Sequence, residues 1–285
     1  MHETTLAQAV LQFAQVAHGM CDADLERPWA WGAYDSEGIR FAFFRTYEEL
    51  RELAIRLERE RVKDGCVATS AQRILARYHS AFRDLQALLK GVGTQDADHA
   101  LAEGEWPVRQ VLAHIVGAEI GFYAVVRYAL ERHRAGLDLP AETPREAWST
   151  VIDEAAFDAL VEGPLEEMQS YYAELHQRVL NEFAEVTEEE LELPSKYWEG
   201  IPLSFRFRLH RFESHLRQHT IQVEKTLDGI GRPYTELQRL VRLVYGGLAD
   251  AEGAALGAPH AGSELQQDVA ARIAARAAEI SALLS

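Results

Sequence analysis

The chain has 285 residues, of which 47% are hydrophobic and 26% are charged, with 45 acidic against 29 basic side chains and a net charge of −16. This is the composition of a globular protein with one large domain, or with a core domain and extensions, and it excludes a disordered chain. So acidic a surface repels phosphate backbones, and no apolar run approaches the roughly 20 residues of a membrane helix, so neither a nucleic-acid partner nor a membrane partner is expected.

The N-terminal part of the chain is predicted to hold two helices joined by an aromatic loop. A helix covers about residues 4–19, and the turn-rich stretch LERPWAWGAYDSEGIRFAFF follows it. Within this stretch, GIRFAFF alternates briefly, which favours a short hairpin strand. Thr46, with Glu49 three residues later, predicts a capping box at the start of the second helix. The loop aromatics either form a wall over a pocket or anchor the loop onto the helices: Trp29, Trp31, Tyr34, Phe43 and Phe44.

Helical periodicity dominates the rest of the chain. Helices are predicted for SAQRILARYHSAFRDLQALLKGV, for the segment that follows Pro107, for about residues 165–186, and for LSFRFRLHRFESHLRQHTIQVEKTL, which ends at Gly229 and Gly231. TEEELELPSKYWEGIP is predicted to be a loop with a short helical turn, and two more helices complete the C-terminal part. No glycine pattern of a Rossmann fold or a P-loop occurs. The fold class predicted is therefore all-α.

A pair of histidines at helical spacing lies in ESHLRQHTIQVEKTL, residues 213–227. Four residues turn an α-helix by about 400°, so His215 and His219 lie about 40° apart and about 6 Å apart along its axis. Both flank the apolar stripe of this helix, and so point into a bundle or onto its rim. A chain with 11 histidines contains about 0.4 such pairs by chance. The spacing alone is thus better explained by two packed histidines.

A third histidine, His114, flanks the inward face of another predicted helix, three residues after Val111 and four before Ala118. Helical bundles form metal sites in this way, with two ligands from one helix and a third from another. Three neutral imidazoles with an open position suit zinc, nickel or iron and indicate a catalytic site.

Two other metal chemistries are excluded by the sequence. The HExxH pattern of zincins fails because Leu216 follows His215, and no histidine has a glutamate three residues before it, as a ferritin-like di-iron site requires. The remaining histidines are interpreted as surface or capping residues: His2, His18, His79, His99, His133, His176, His210 and His260.

The segments ARYHSAFRDLQALL, WPVRQVLAHIVGAE, a long third helix and HLRQHTIQ occur in this order, and together they resemble the DinB-like (YfiT-like) superfamily over about residues 67–230. The resemblance implies an up-down-down-up four-helix bundle with extra helices at both ends. It implies a metal held by His114 of the second helix and by the pair His215 and His219, and Gln222 matches a glutamine frequent after that pair. The domains expected are an N-terminal extension (1–66), the bundle (67–232) and a C-terminal extension (233–285).

Characterised members of that superfamily include thiol S-transferases that use bacillithiol or mycothiol, the mycothiol-dependent maleylpyruvate isomerase and a domain of ergothioneine-forming sulfoxide synthases. The resemblance therefore implies a metal-dependent transferase in which a low-molecular-weight thiol, or water, attacks a small electrophilic substrate. Glu119, Tyr123 and Arg127 are the candidate catalytic residues, and Tyr123 and Trp106 are candidates for the mouth of the site. Solvated, ion-paired or core positions are the alternative for these side chains.

Two other functions stay open: a non-catalytic metal-binding or interaction module, and a plain helical bundle without a metal. Structural zinc normally takes four protein ligands, and no cysteine or carboxylate takes the fourth place here, which favours the enzyme. The two distant cysteines, Cys21 and Cys66, favour a reduced, cytoplasmic setting. The alanine-rich C-terminal segment AARIAARAAEISALL suits close helix packing, and a homodimer is one arrangement that it allows.

Overall fold

The computed structural model describes residues 4–34, 37–140 and 142–285, and it is 71% helical. The predicted all-α fold class is confirmed. One antiparallel pair of two-residue strands, β1 (Pro194–Ser195) and β2 (Leu203–Ser204), lies in the segment predicted as a loop with a helical turn. The helices in the described part of the chain are α1 (Leu6–His18), α2 (Gly38–Lys63), α3 (Ser70–Leu88), α4 (Thr94–Ala97), α5 (Val108–Arg134), α6 (Arg145–Ser149), α7 (Glu154–Glu162), α8 (Leu165–Phe183), α9 (Phe205–Gly229), α10 (Glu236–Ala255) and α11 (Ser263–Leu284).

The chain forms two compact units. The first contains residues 1–68, 83–91 and 233–285, and the second contains residues 69–82 and 92–232. The sequence boundaries treat residues 1–66 and 233–285 as two separate extensions, whereas both belong to the first unit. Within this unit α2 packs against α10, and α1 packs against α11.

The segment GIRFAFF is helical, so the prediction of a hairpin strand there is wrong. It forms the first two turns of α2, where Ile39, Ala42 and Phe43 are buried in the core of the first unit. Their spacing of three and four residues is that of one helix face. Seven residues are too few to separate this period from strand alternation.

Thr46 and Glu49 do not cap a helix, because α2 begins eight residues earlier than the predicted boundary. Thr46 is buried within α2, where its hydroxyl donates to the Ala42 carbonyl oxygen at 2.8 Å and accepts from Arg276 Nη1 at 2.8 Å. The Glu49 carboxylate accepts from Arg276 Nη2 at 3.2 Å. The residues of the predicted capping box instead bind a buried arginine of α11.

The loop aromatics pack within the first unit, which favours their role in anchoring the loop. Trp29 is buried, and its indole N–H donates to Glu279 at 3.2 Å. The rings of Trp31 and Tyr34 lie against Phe41, with centroids 6.0 and 5.8 Å apart.

The second unit is built around the first part of α3 with α5, α8 and α9. Aromatic contacts join these helices: Phe212 of α9 contacts Tyr78 of α3 and Phe122 of α5, with ring centroids 5.1 and 5.5 Å apart. Phe82 of α3 packs edge-on against Tyr172 of α8 at 5.2 Å. Helix α5 is long and apolar enough to cross a membrane by length and composition, and 67% of its apolar window is buried, as in the core helix of a bundle.

Two histidines that the sequence analysis interprets as surface or capping residues lie in this core, so the interpretation is wrong for them. His79 and His176 are only 6% and 2% exposed, and their Nδ1 and Nε2 atoms lie 2.9 Å apart. The His176 ring also stacks on Phe82 with a centroid distance of 3.8 Å. The two imidazoles are thus buried among aromatic side chains and lie within hydrogen-bonding distance of each other inside the bundle.

Two adjacent glycines of α10 give a matched test of helix packing in the first unit. A Cβ on Gly247 would lie 3.1 Å from both Leu50 Cβ and Tyr47 Cδ2, whereas a Cβ on Gly246 would meet nothing within 4 Å. We expect Gly246→Ala to raise the free energy of unfolding by up to about 1 kcal/mol, through helix propensity. Gly247→Ala should lower it by about 1–3 kcal/mol through overpacking. Urea unfolding of both variants measures this, and equal effects would contradict the close contact of α10 with α2.

Candidate metal centre

Two helices of the second unit carry the three candidate ligands. Helix α9 begins after Ser204, whose hydroxyl accepts from the Phe207 N–H at 3.3 Å. Helix α5 begins after Pro107, a residue that is tolerated at a helix start because its missing N–H is not needed there. The two helices pack against each other. This contact places the histidine of α5 opposite the two of α9.

The imidazoles of His114, His215 and His219 converge, as the sequence predicts. One nitrogen of each lies within 4.8 Å of a nitrogen of the other two. The Nε2 atoms of His114 and His215 are 3.2 Å apart. The ring centroid of His219 lies 4.6 Å from that of His114 and 4.4 Å from that of His215. His215 and His219 are buried, and His114 is partly exposed.

Gln222 fixes the tautomer of His219. The side-chain oxygen of Gln222 accepts a hydrogen bond from His219 Nδ1 at 2.8 Å. Because Nδ1 therefore carries the proton, Nε2 keeps its lone pair and is free to bind a cation. A hydrogen bond to the second nitrogen is the usual way in which proteins orient a metal-binding histidine.

The surroundings of His114 and His215 favour their uncharged forms. Burial lowers the pKa of His215 to about 3, with smaller contributions from the charges of His219, His114 and Arg211. Burial also lowers the pKa of His114, helped by the charge of His219. Only the neutral imidazole has a lone pair for a metal, so these shifts favour ligation.

The residues fit a divalent metal ion. Two imidazole nitrogens that share a zinc ion at about 2.0–2.1 Å lie about 2.8–3.4 Å from each other, the short end for octahedral and the long end for tetrahedral geometry. The 3.2 Å between His114 Nε2 and His215 Nε2 falls within this range. Among the histidine, cysteine, aspartate and glutamate residues that the structure describes, these three form the one group whose ligand atoms are close enough to hold an ion.

The histidines lie in the wall of a pocket of about 880 Å³, whose lining belongs to the second unit. Trp106, predicted for the mouth, does line this pocket, and its ring lies 5.1 Å from that of His114. Phe122 packs edge-on against His215 at 5.5 Å. The other aromatic residues of the lining are Phe157, Tyr197 and Trp198. The histidines therefore face an open pocket with several aromatic side chains in its wall, large enough for a small molecule.

Glycines of α5 let this aromatic lining approach the helix. A Cβ on Gly117 would lie 3.3 Å from Phe157 Cζ, and one on Gly121 would lie 2.2 Å from Tyr197 Oη. Gly117 follows His114 by three residues, so the close approach of Phe157 occurs one helical turn from a candidate ligand.

The lining residues of α7, and Arg211 of α9, are not predicted from the sequence. Helix α7 contributes Phe157, Asp158 and Glu162. Its start is signalled by Asp153, whose carboxylate accepts from the Ala156 N–H at 2.9 Å. Arg211 also lines the pocket. Its position four residues before His215 on α9 could have identified it, because this spacing places both on one face.

Glu119 lies outside the lining of the pocket. It is fully buried in the second unit, where it accepts hydrogen bonds from the hydroxyls of Tyr78 and of Tyr172, the latter at 2.9 Å. Burial raises the pKa of Glu119 to about 8, against the opposing effect of the two hydroxyls. Its contacts are those of a core carboxyl, and the catalytic role suggested for it has no support from its position.

Tyr123 and Arg127 are also not among the pocket residues. The Tyr123 hydroxyl donates to Glu182 at 2.6 Å and accepts from Arg178 at 3.1 Å. Arg127 Nε donates to Glu131 at 2.8 Å, one turn further along α5. Both side chains thus have partners of their own, and the structure does not bring them to the three histidines.

Fold and site together define an all-α bundle protein with a three-histidine group suited to a divalent metal. The family model of the DinB superfamily matches residues 77–223, more than half of the chain. The chain belongs to this superfamily, whose members generally bind metals. Neither the comparison with curated proteins nor that with solved structures gives a significant match.

Replacing Gln222 should weaken metal binding without removing a ligand. Gln222→Leu removes the acceptor that orients His219, and such changes typically cost about 10–100-fold in metal affinity. The matched control is Gln177→Leu, because Gln177 is an exposed glutamine of α8 that bonds Asn181 and is not among the pocket residues. Competition titration with a chromogenic chelator measures both affinities, and equal affinities for the two variants would contradict the role of Gln222.

The buried carboxyl of Glu119 should make stability depend on pH. Its pKa is about 8 in the folded chain against an ordinary value of 4.5, so the folded state keeps a proton that the unfolded chain loses. The stability linked to this proton is complete below the unfolded pKa and falls by about 1.4 kcal/mol per pH unit as the pH rises towards the folded pKa. We expect Glu119→Gln to remove this fall, as measured by denaturant unfolding between about pH 5 and pH 8. If the free energies of unfolding of variant and parent differed by the same amount at every pH in this range, a buried, protonated Glu119 would be contradicted.

Proposed function

We propose that the chain is a metal-dependent enzyme in which a thiol, or water, attacks a small electrophilic molecule in the pocket beside the three histidines. One observation carries the proposal: His114, His215 and His219 lie together in the wall of a pocket of about 880 Å³. Three nitrogen ligands leave a coordination position open, as catalytic metal sites do, whereas structural zinc sites are closed by a fourth protein ligand.

The residues of the chain have distinct tasks in this proposal. When bound, a divalent ion of zinc, nickel or iron supplies Lewis acidity that lowers the pKa of a thiol or water ligand. The imidazoles of α5 and α9 hold the ion, and Gln222 keeps the His219 ring in position. Trp106, Phe122 and Phe157 offer apolar surface to the substrate and displace water from the pocket.

The cosubstrate proposed is a low-molecular-weight thiol, in a reducing cytoplasmic setting. Cys21 and Cys66 are exposed and free, which agrees with such a setting. The rival function is a metal-binding module without turnover. The pocket favours the enzyme, because a metal that only stabilised the bundle would not need space for a second molecule.

Metal content is the first test of the proposal. Elemental analysis of the full chain purified without added metal should give about one zinc, nickel or iron ion per chain. His215→Ala should lose the ion, whereas His210→Ala should keep it, because His210 is exposed on the same helix. A parent protein without metal, and unable to take one up, would overturn both the enzyme and the metal-binding module.

Turnover is the second test. In a mixture of a small thiol and chlorodinitrobenzene, a C–S bond forms and chloride leaves, and the product is followed by its absorbance. We expect the metal-loaded parent and His210→Ala to accelerate the reaction for some member of a panel of thiols and electrophiles, and His215→Ala and the chelated parent to fail. Bound metal without acceleration across the panel would favour the non-catalytic module.

A further inference from the structure

One positive side chain lines the pocket beside the histidines. Among the described residues that line the pocket, Arg211 is the only arginine, and none is a lysine. Its side chain is partly buried. It precedes His215 by four residues, one turn of α9. Its guanidinium lies over the Phe122 ring, 5.8 Å from the centroid, and the same ring packs against His215. The guanidinium, the aromatic ring and the candidate ligand therefore form one continuous stretch of pocket wall.

The carboxylates closest to Arg211 along α9 and in the preceding loop are bound by other arginines. Glu199 accepts two hydrogen bonds from Arg208 Nη1, at 2.6 and 2.8 Å, and Arg208 is fully buried. Glu213 accepts from Arg217 Nε at 2.9 Å. Each of these carboxylates thus already has a cationic partner.

Arg211 itself has no carboxylate oxygen within 4.0 Å in the described part of the chain. The hydrogen bond that it makes is a long one, from Nη1 to Ser214 Oγ at 3.5 Å. The acidic residues of the same pocket, Asp158 and Glu162, are exposed on α7 and do not pair with it. In a chain with net charge −16, a guanidinium in a pocket wall with no described carboxylate oxygen within 4.0 Å is suited to an anion from solution.

We infer that Arg211 binds an anionic group of the substrate, and that the aromatic lining binds a flat apolar body attached to that group. A planar guanidinium donates two parallel hydrogen bonds to a carboxylate, which fixes the orientation of the ligand as well as its affinity. Trp106, Phe122 and Phe157 supply the aromatic surface. The substrate class is therefore a small aromatic or conjugated acid. That this acid is a substrate rests on the proposed function. That the pocket binds such an acid does not.

Binding of matched probes tests the inference. The probes are naphthoate and naphthamide, which have nearly the same shape and differ in charge, and calorimetry on the chelated full chain measures their affinities. We expect the parent to prefer naphthoate by roughly tenfold or more, since hydrogen bonds to charged groups are the strong ones. Arg211→Gln should lose that preference, Arg211→Lys should keep part of it, and Arg217→Gln should match the parent.

Three results would overturn the inference: no naphthoate binding to the parent, an equal affinity of the parent for both probes, or a preference that survives in Arg211→Gln. A preference that appears only after metal loading and does not depend on Arg211 would assign the carboxylate to the metal, and would also overturn it. The proposed function fails separately, through absent metal or absent turnover, because the probe experiment uses metal-free protein. Thermal unfolding checks that each variant is folded.

Discussion

The packing of α5 against α9 is the contact on which the candidate centre depends. It holds His114 Nε2 within 3.2 Å of His215 Nε2 and brings the His219 ring beside both. A neutral imidazole has one lone pair and one N–H. Because the N–H of His219 is bound to Gln222, at most two N–H groups remain for the three lone pairs, and burying polar atoms without partners costs free energy. A cation common to all three nitrogens removes this cost. The geometry of the bundle and the chemistry of the histidines thus favour the same ligand.

The residues around the three histidines affect their tautomers and charge and give the pocket its lining. Gln222 determines which nitrogen of His219 faces the other imidazoles, and burial lowers the pKa values of His114 and His215 so that they stay neutral. Aromatic side chains line the pocket beside the histidines, and Arg211 provides a positive charge one turn from His215. We propose that this pocket has one position for a reactive nucleophile and another for an anionic group of its target.

The part of the site that could be predicted from the sequence is the part that helical periodicity determines. His114, His215 and His219 could be identified because their spacing relative to apolar neighbours showed which side of each helix they occupy. Periodicity did not predict the position of Glu119. This residue shares α5 with His114, but it faces Tyr78 and Tyr172 in the core. The family of the chain was recognised from the order of its helices. The position of α7 at the pocket was not, because a short segment carries no periodic signal of the helix on which it packs.

The most direct test of this account is X-ray absorption spectroscopy at the metal edge of the purified full chain. The account predicts about three imidazole nitrogens in the first shell, at about 2.0–2.1 Å for zinc, with the outer-shell scattering that imidazole rings produce. A first shell of sulfur, or of oxygen without imidazole scattering, would contradict it.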